Sequence, residues 1–447
     1  MPRYDRIIKN KGTLMRYVSS LSVLAIAAAL AAPAAQAQSA ANLNALKGLA
    51  PVSVLENTPA GKEALVANYK VTGAIQNGTF NQPGLQPFPQ AQAQALSDAF
   101  ITLANGAELA DGLGSKLGAA YQAKANYTAP KTFTSISPEV ANLLVYTIIV
   151  TELDSNAGKF FFANGTSQSG KNPPVPASAT ALTILKDAGG TKDIFGKAYN
   201  LPAGSPGANP YGDSRPFQTE KKVLKFSDPD HFGAPSDNSD YLSGPAQDLT
   251  KSPSYPSGHT TYAYTEATLL AIMVPERFPQ MITRAAEYGN HRIIVGAHYA
   301  MDVIGGRTLA FYDLAQLLSG NTDYLNQKTG KVPPIANYPE ALKAARASLA
   351  ADLQKTTGET IAQAAAQDTS RFSNPAANAA FYESTQTYSL PVVYPAQAAK
   401  SEDIGVEAPE AGNILIAAFP YLTLKQADAI LTSTEGPGGG FLDNGSH

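Results

Sequence analysis

The sequence predicts an all-α protein, and three observations carry that expectation. Across residues 43–124 apolar positions recur at helical spacing between Pro, Gly and Asn breaks, and no stretch sustains a two-residue alternation. "ISPEVANLLVYTIIVTELDS", residues 136–155, reads as a buried helix. After a centre crowded with Pro, Gly, Ser and Asp, helical patterning returns at 260–274, 276–290 and 298–318.

The elements follow in order. Residues 1–37 read as an export leader: a basic start, the apolar run "LSVLAIAAALAA" and the small-residue site "PAAQAQSA", with cleavage expected after Ala37. Met15 opens a shorter leader that is complete in itself. The apolar run is short of the ~20 residues a spanning helix needs, and so is "VANLLVYTIIVTEL", which leaves no expected span in the mature chain. Residues 178–200 read as a pair of helical turns or a helix broken at Gly189-Gly190. Long irregular loops follow at 198–214 and 226–255, of the kind that more often carry function than idle. From residue 338 an Ala-rich helix leads into a Pro-punctuated tail, and internal repeats are absent. The division expected is leader 1–37, catalytic helical domain 38–330 and C-terminal extension 331–447.

Composition narrows the chemistry. A 447-residue chain that is 44% hydrophobic has material for a sizeable core. Its net charge of -3 offers no basic footprint for nucleic acid or an anionic membrane. With no cysteine, thiolate nucleophiles and thiolate metal sites are excluded, so nucleophilic chemistry falls to His, Ser, Thr, Lys or a carboxylate.

"SPSYPSGHTTYAY", residues 252–264, sets Pro256, Ser257 and Gly258 where a helix begins. Free N–H groups of a first turn and the positive end of the dipole make such a mouth an anion site. Gly258 permits close backbone approach, Ser257 adds a hydroxyl, and His259 brings an imidazole to the same anion. Downstream, His298 and Asp302 are four residues apart, which on a helix shares a face and lets the carboxylate orient the imidazole for nucleophilic attack. Arg292 lies six residues before His298, so Gly296 is expected to break the helix and let both converge. Arg215 and Arg292 supply planar forks for phosphate oxygens. Alone, each piece has a plain structural reading: a proline-turn N-cap, a surface pair, a turn. Their order and spacing together carry the functional reading.

These residues resemble the Arg-Pro, Pro-Ser-Gly-His and Arg-x5-His-x3-Asp signature of the type 2 phosphatidic-acid-phosphatase (PAP2) superfamily, over about residues 180–310. The chain resembles the soluble, secreted branch, the class A non-specific acid phosphatases. That resemblance implies an all-α bundle of the PAP2/haloperoxidase type, with the long loops around the site. It implies an exported, periplasmic or secreted phosphomonoesterase needing no metal or cofactor. Small phosphorylated molecules are its expected substrates, and phosphate or vanadate its expected inhibitors. His298 is then the nucleophile, Asp302 its orienting partner and His259 the general acid. Lys197, Arg215, Arg292, Ser257 and Gly258 bind phosphate.

Two departures stand out. The family pattern is Lys-x6-Arg-Pro, but position 208 is alanine; Lys197 is assigned instead, across an insertion of about eleven residues in the loop "LPAGSPGANPYGD". His291 stands where the family commonly has serine, either touching phosphate or serving structure. A dinuclear metal site is not expected, because the partners of a Gly-Asn-His element are missing, and His231 is read as a solvated loop residue. The same resemblance leaves a vanadate-dependent haloperoxidase as an alternative, and an insertion that displaced the lysine would instead leave a catalytically silent secreted phosphate-binding protein.

Overall fold

The computed structural model describes residues 39–101, 108–129, 136–167, 175–190, 192–220, 223–327, 333–400 and 402–435. The expected leader at 1–37 lies outside them. Among the described residues the regular elements are helices, apart from one antiparallel hairpin, β1 Ser227–Pro229 with β2 Pro235–Asp237. The all-α expectation holds.

The helices run α1 Ala40–Leu49, α2 Pro59–Gln76, α3 Phe88–Asp98, α4 Leu117–Ala125 and α5 Pro138–Asn164. Then come α6 Ala179–Asp187, α7 Ile194–Ala198, α8 Pro216–Thr219, α9 Gly258–Met273, α10 Phe278–Ile294 and α11 Ala300–Leu318. After α12 Thr322–Leu325, α13 Tyr338–Thr357 and α14 Ile361–Ala366, α15 spans Pro375–Thr387, and shorter helices continue to Ser433. The doublet Gly189-Gly190 does separate two helices, α6 and α7.

Helix α9 is the axis of the bundle, packed against α5, α10, α11 and α13. It is buried along nearly its whole length, so its apolar residues form no single stripe, and Thr260, Thr261, Thr265, Glu266 and Thr268 are buried with them. α5 shows the same pattern, with Ser137 capping Val140 N–H at the start and Gly165 in the left-handed conformation at the end. The Ala-rich α13 lays Leu342, Ala345, Leu349 and Leu353 into the same core as α5 and α9, so residues beyond 330 share the central packing. No described helix is long and apolar enough to cross a membrane.

Two glycines let the site elements approach one another. A Cβ on Gly306 of α11 would stand 2.5 Å from the carbonyl oxygen of Ser257, so the Pro-Ser-Gly-His turn rests directly on α11. Gly296, between α10 and α11, holds φ +89° and breaks the chain as expected.

A buried ion network braces α10 from behind. Arg284 donates to both carboxylate oxygens of Asp98 at 2.7 Å and to Asp111 at 2.7 Å, and Arg371 bridges Asp111 and Glu287 at 2.6 Å. His291 joins it, its Nδ1 lying 2.6 Å from Asp98. The departure at position 291 therefore serves this structural network. His231 also differs from its expected solvation: it is half-buried, 2.5 Å from Glu108, with its ring tilted against that of Tyr127 at 4.9 Å.

Candidate active site

Three elements converge on one buried point. Ser257 caps α9, its Oγ accepting from Thr260 N–H and its own N–H donating to the Asp302 carbonyl. The first-turn amides of α9, at Gly258 and His259, have no partner within a helix. Lys159 and Ser155 of α5 stand against this turn: a Cβ on Gly258 would lie 3.2 Å from Ser155 Oγ and 3.5 Å from Lys159 Cε.

His298 and Asp302 meet, but not as two positions on one helical face. α11 begins at Ala300 with Tyr299 as its N-cap, so His298 precedes the helix and Asp302 is its third residue. The Asp302 carboxylate reaches back to accept from Tyr299 N–H at 2.8 Å, and His298 Nδ1 lies 3.1 Å from the same oxygen. Ser254 donates to that oxygen as well. Cap geometry, rather than the four-residue helical repeat, brings the pair together.

The two arginines differ. Arg215 has every donor engaged: Nε to Ser252 O, Nη1 to Ala297 O and His298 Nε2, Nη2 to Ser252 Oγ and Pro253 O. Arg292, only 1% exposed, has none of its three guanidinium nitrogens hydrogen-bonded. Only one of the two expected forks is therefore free. A buried, unpartnered guanidinium is costly unless an anion meets it.

Lys197 does not join this cluster. It lies on α7 with its side chain half exposed, 3.8 Å from Glu56. Its neighbours on α7, Ile194, Phe195 and Gly196, are buried, but its own side chain stands away from the site beside Glu56. The lysine in the cluster is Lys159, 5% exposed, with Nζ 3.5 Å from Pro253 O. Sequence reasoning missed it because it stands on a different element, 56 residues before Arg215, in the run "NAGKFFFA". The available signal was the one lysine of a long helix read as buried, because a lysine is rarely buried without a partner or a purpose.

Electrostatics follow from this crowding. Burial holds the Lys159 ammonium well below the usual lysine range, and Arg215 and Arg292 add to that. Burial first, then the cations Arg292, Lys159 and Arg215, hold His259 well below an ordinary histidine. His298 is depressed in the same way, by burial and then Arg215, Lys159 and Arg292. Burial pushes Asp302 up to about 6, against the opposing hydrogen bonds from Ser254 and Tyr299 N–H. Asp213, missed by the sequence reading, accepts from Tyr255 N–H at 3.0 Å and from Ser254 N–H at 2.9 Å, pinning the strand of loop before the turn. Among the described residues no group of three His, Asp or Glu side chains could hold a metal ion.

An α-helical bundle that gathers two arginines, a lysine and two histidines around a helix N-terminus defines a class of anion-handling protein. Residues 210–318 match the PAP2 superfamily. The chain is 42% identical over 69 residues to a non-specific acid phosphatase of Salmonella typhimurium, covering 15% of this chain and 28% of that one. It is 38% identical over 76 residues to an acid phosphatase of Zymomonas mobilis, 17% of this chain and 28% of the relative. A longer match, 27% identical over 186 residues, covers 38% of this chain and 73% of a Providencia stuartii non-specific acid phosphatase. The Salmonella and Zymomonas matches thus span little more than a quarter of those relatives' length.

Proposed function

We propose that the protein is a phosphomonoesterase that works through a phosphohistidine and needs no metal. The observation that carries this is Arg292: a buried guanidinium with no hydrogen bond, close enough to Lys159, His259 and His298 for its charge to act on all three. The resemblance to acid phosphatases supports the same reading.

In this reading Arg292, Lys159 and the first-turn amides of α9 hold the non-bridging phosphate oxygens, where charge concentrates in the transition state. His298 Nε2 attacks phosphorus as the ester P–O bond breaks, and His259 gives its proton to the departing alkoxide. Asp302 accepts from Nδ1–H and stabilises the charge that forms on His298. A water then attacks phosphorus, passing its proton to His259, and the P–N bond breaks to release inorganic phosphate and restore His298. Arg215 must give up its bond to Nε2 when phosphorus arrives there, which frees that donor for the phosphoryl group.

Residues 1–37 are proposed as a cleaved leader that exports the protein, which mapping the mature N-terminus to Gln38 would support. Residues 38–330 are proposed as the catalytic part, with 331–447 an extension to it. Rapid-quench trapping tests the chemistry. Wild type should yield acid-labile, base-stable phosphoenzyme in excess chelator, and His298→Ala none. Trapping by His298→Ala, or activity restored only by a divalent metal, overturns the mechanism.

A further inference from the structure

We infer that the side of the site beyond His259 is a subsite for the leaving alcohol, built to accept hydrogen bonds from hydroxyl or ammonium groups beside the ester. The inference rests on the phosphatase reading and extends it to the substrate class.

The cluster is open on one side only among its described members. Arg215, Arg292, His298 and Asp302 are buried, whereas His259, Tyr262 and Gln247 are half-buried. A general acid must touch the leaving oxygen, so the alcohol departs on the His259 side. What surrounds it there is a set of acceptors. The Gln247 amide lies 3.2 Å from His259 Nε2, and its Oε1 is buried without a partner. Ser155 Oγ is buried without a partner and borders Gly258. Glu152 receives Tyr262 Oη–H at 3.3 Å and Asn156 at 3.4 Å, both on Oε1, leaving Oε2 with no hydrogen bond. The Tyr262 hydroxyl is itself 3.4 Å from where a Gly258 Cβ would stand.

These acceptors are in register with the phosphate ligand. Glu152, Ser155 and Lys159 are spaced three and four residues apart on α5 and share one face. Lys159 thus meets the phosphoryl group, and the other two extend about 10 Å along the helix toward what is attached to it. An alkyl alcohol would leave Ser155, Gln247 and Glu152 with desolvated, unmatched acceptors, whereas donors on the alcohol satisfy them.

A matched series tests this: propyl phosphate, glycerol 1-phosphate and 3-aminopropyl phosphate, which share the ester and the three-carbon chain. The ratio of their kcat/KM values cancels what the shared phosphoryl chemistry contributes. Wild type should favour at least one donor-bearing ester over propyl phosphate by about tenfold. That ratio should fall toward one in Glu152→Ala/Ser155→Ala, and to a lesser extent in Gln247→Ala, whose half-buried loop position tolerates truncation. The larger of the two ratios identifies hydroxyl or ammonium as the preferred donor. Ratios within twofold of one in wild type, or unchanged in both variants, overturn the subsite while hydrolysis of propyl phosphate upholds the phosphatase reading. Failure to hydrolyse any of the three esters overturns both.

Discussion

Arg215 Nη1 lies 2.9 Å from Nε2 of His298, while Nδ1 of the same ring lies 3.1 Å from Asp302. A guanidinium has only donors, so Nε2 is the acceptor and Nδ1 carries the ring proton. The nucleophilic lone pair is thereby fixed before substrate arrives. The free enzyme should show the Nδ1–H tautomer of His298 by 15N NMR and keep it neutral well below pH 6.5, because burial and three cations disfavour its charge. A spectrum with Nε2 protonated at neutral pH would contradict the assignment.

The lysine assignment separates cleanly. Lys159→Ala should lower kcat/KM by about 10²–10³, the usual loss when one charged donor to the transferring group is removed. Lys197→Ala, at a half-exposed position beside Glu56, should stay within about twofold of wild type. Equal losses, or the reverse order, would return Lys197 to the site. Retained far-ultraviolet helicity and an unchanged thermal transition in Lys159→Ala guard against reading a folding defect as a catalytic one.

How much was legible in the sequence depended on whether the information was local. The Pro-Ser-Gly-His turn at 256–259 and the break at Gly296 are written in backbone chemistry, and both stand where the sequence put them. The all-α class followed from apolar spacing in the same way. His298 and Asp302 pair for a different geometric reason than the helical repeat, because a helix start at Ala300, two residues after His298, makes theirs a capping contact. Lys159 and Glu152 were invisible because their role comes from which face of α5 meets α9, a long-range packing fact. Counting residues back from Arg215 could not find a lysine supplied by another helix. His291 was ambiguous for the same reason, since its partner Asp98 lies 193 residues away.

Anion binding should draw protons into the site. In the free protein burial and the cations Arg292, Lys159 and Arg215 hold His259 low, so above that depressed value the ring is neutral. A phosphate dianion offsets those cations, raises the His259 value and makes the protonated ring favourable; Lys159, also held low, responds in the same direction. Calorimetric titration of inorganic phosphate at about pH 8, in buffers of different ionisation heat, should therefore report net proton uptake. His259→Asn should reduce it. Proton release on binding, or uptake unaffected by the variant, would show that His259 is not the group being charged.

The last expectation concerns stability. Asp154 of α5 faces Asp313 of α11, both buried, with Asn42 of α1 donating to Asp154 and the Tyr324 hydroxyl within reach of the two carboxyls. Burial pushes Asp154 up to about 7, and burial and then Asp154 push Asp313 well above the usual range. Two carboxyls in one dry space cannot both ionise cheaply, so the pair keeps a proton in the folded chain that the unfolded chain gives up near pH 4. The folded state binds more protons between those values, so the pair's contribution is full below about pH 4. It is lost as pH rises toward 7, at up to about 1.4 kcal/mol per pH unit for one proton. Asp313→Asn removes one titration while keeping a side chain of the same shape. Plotted against pH from about 4 to 8, the melting temperature of the variant should gain on wild type steadily, ending above it at the alkaline end. Parallel curves would mean that the two carboxyls ionise in the folded protein as they do in water, and that the junction of α1, α5 and α11 is held by other contacts.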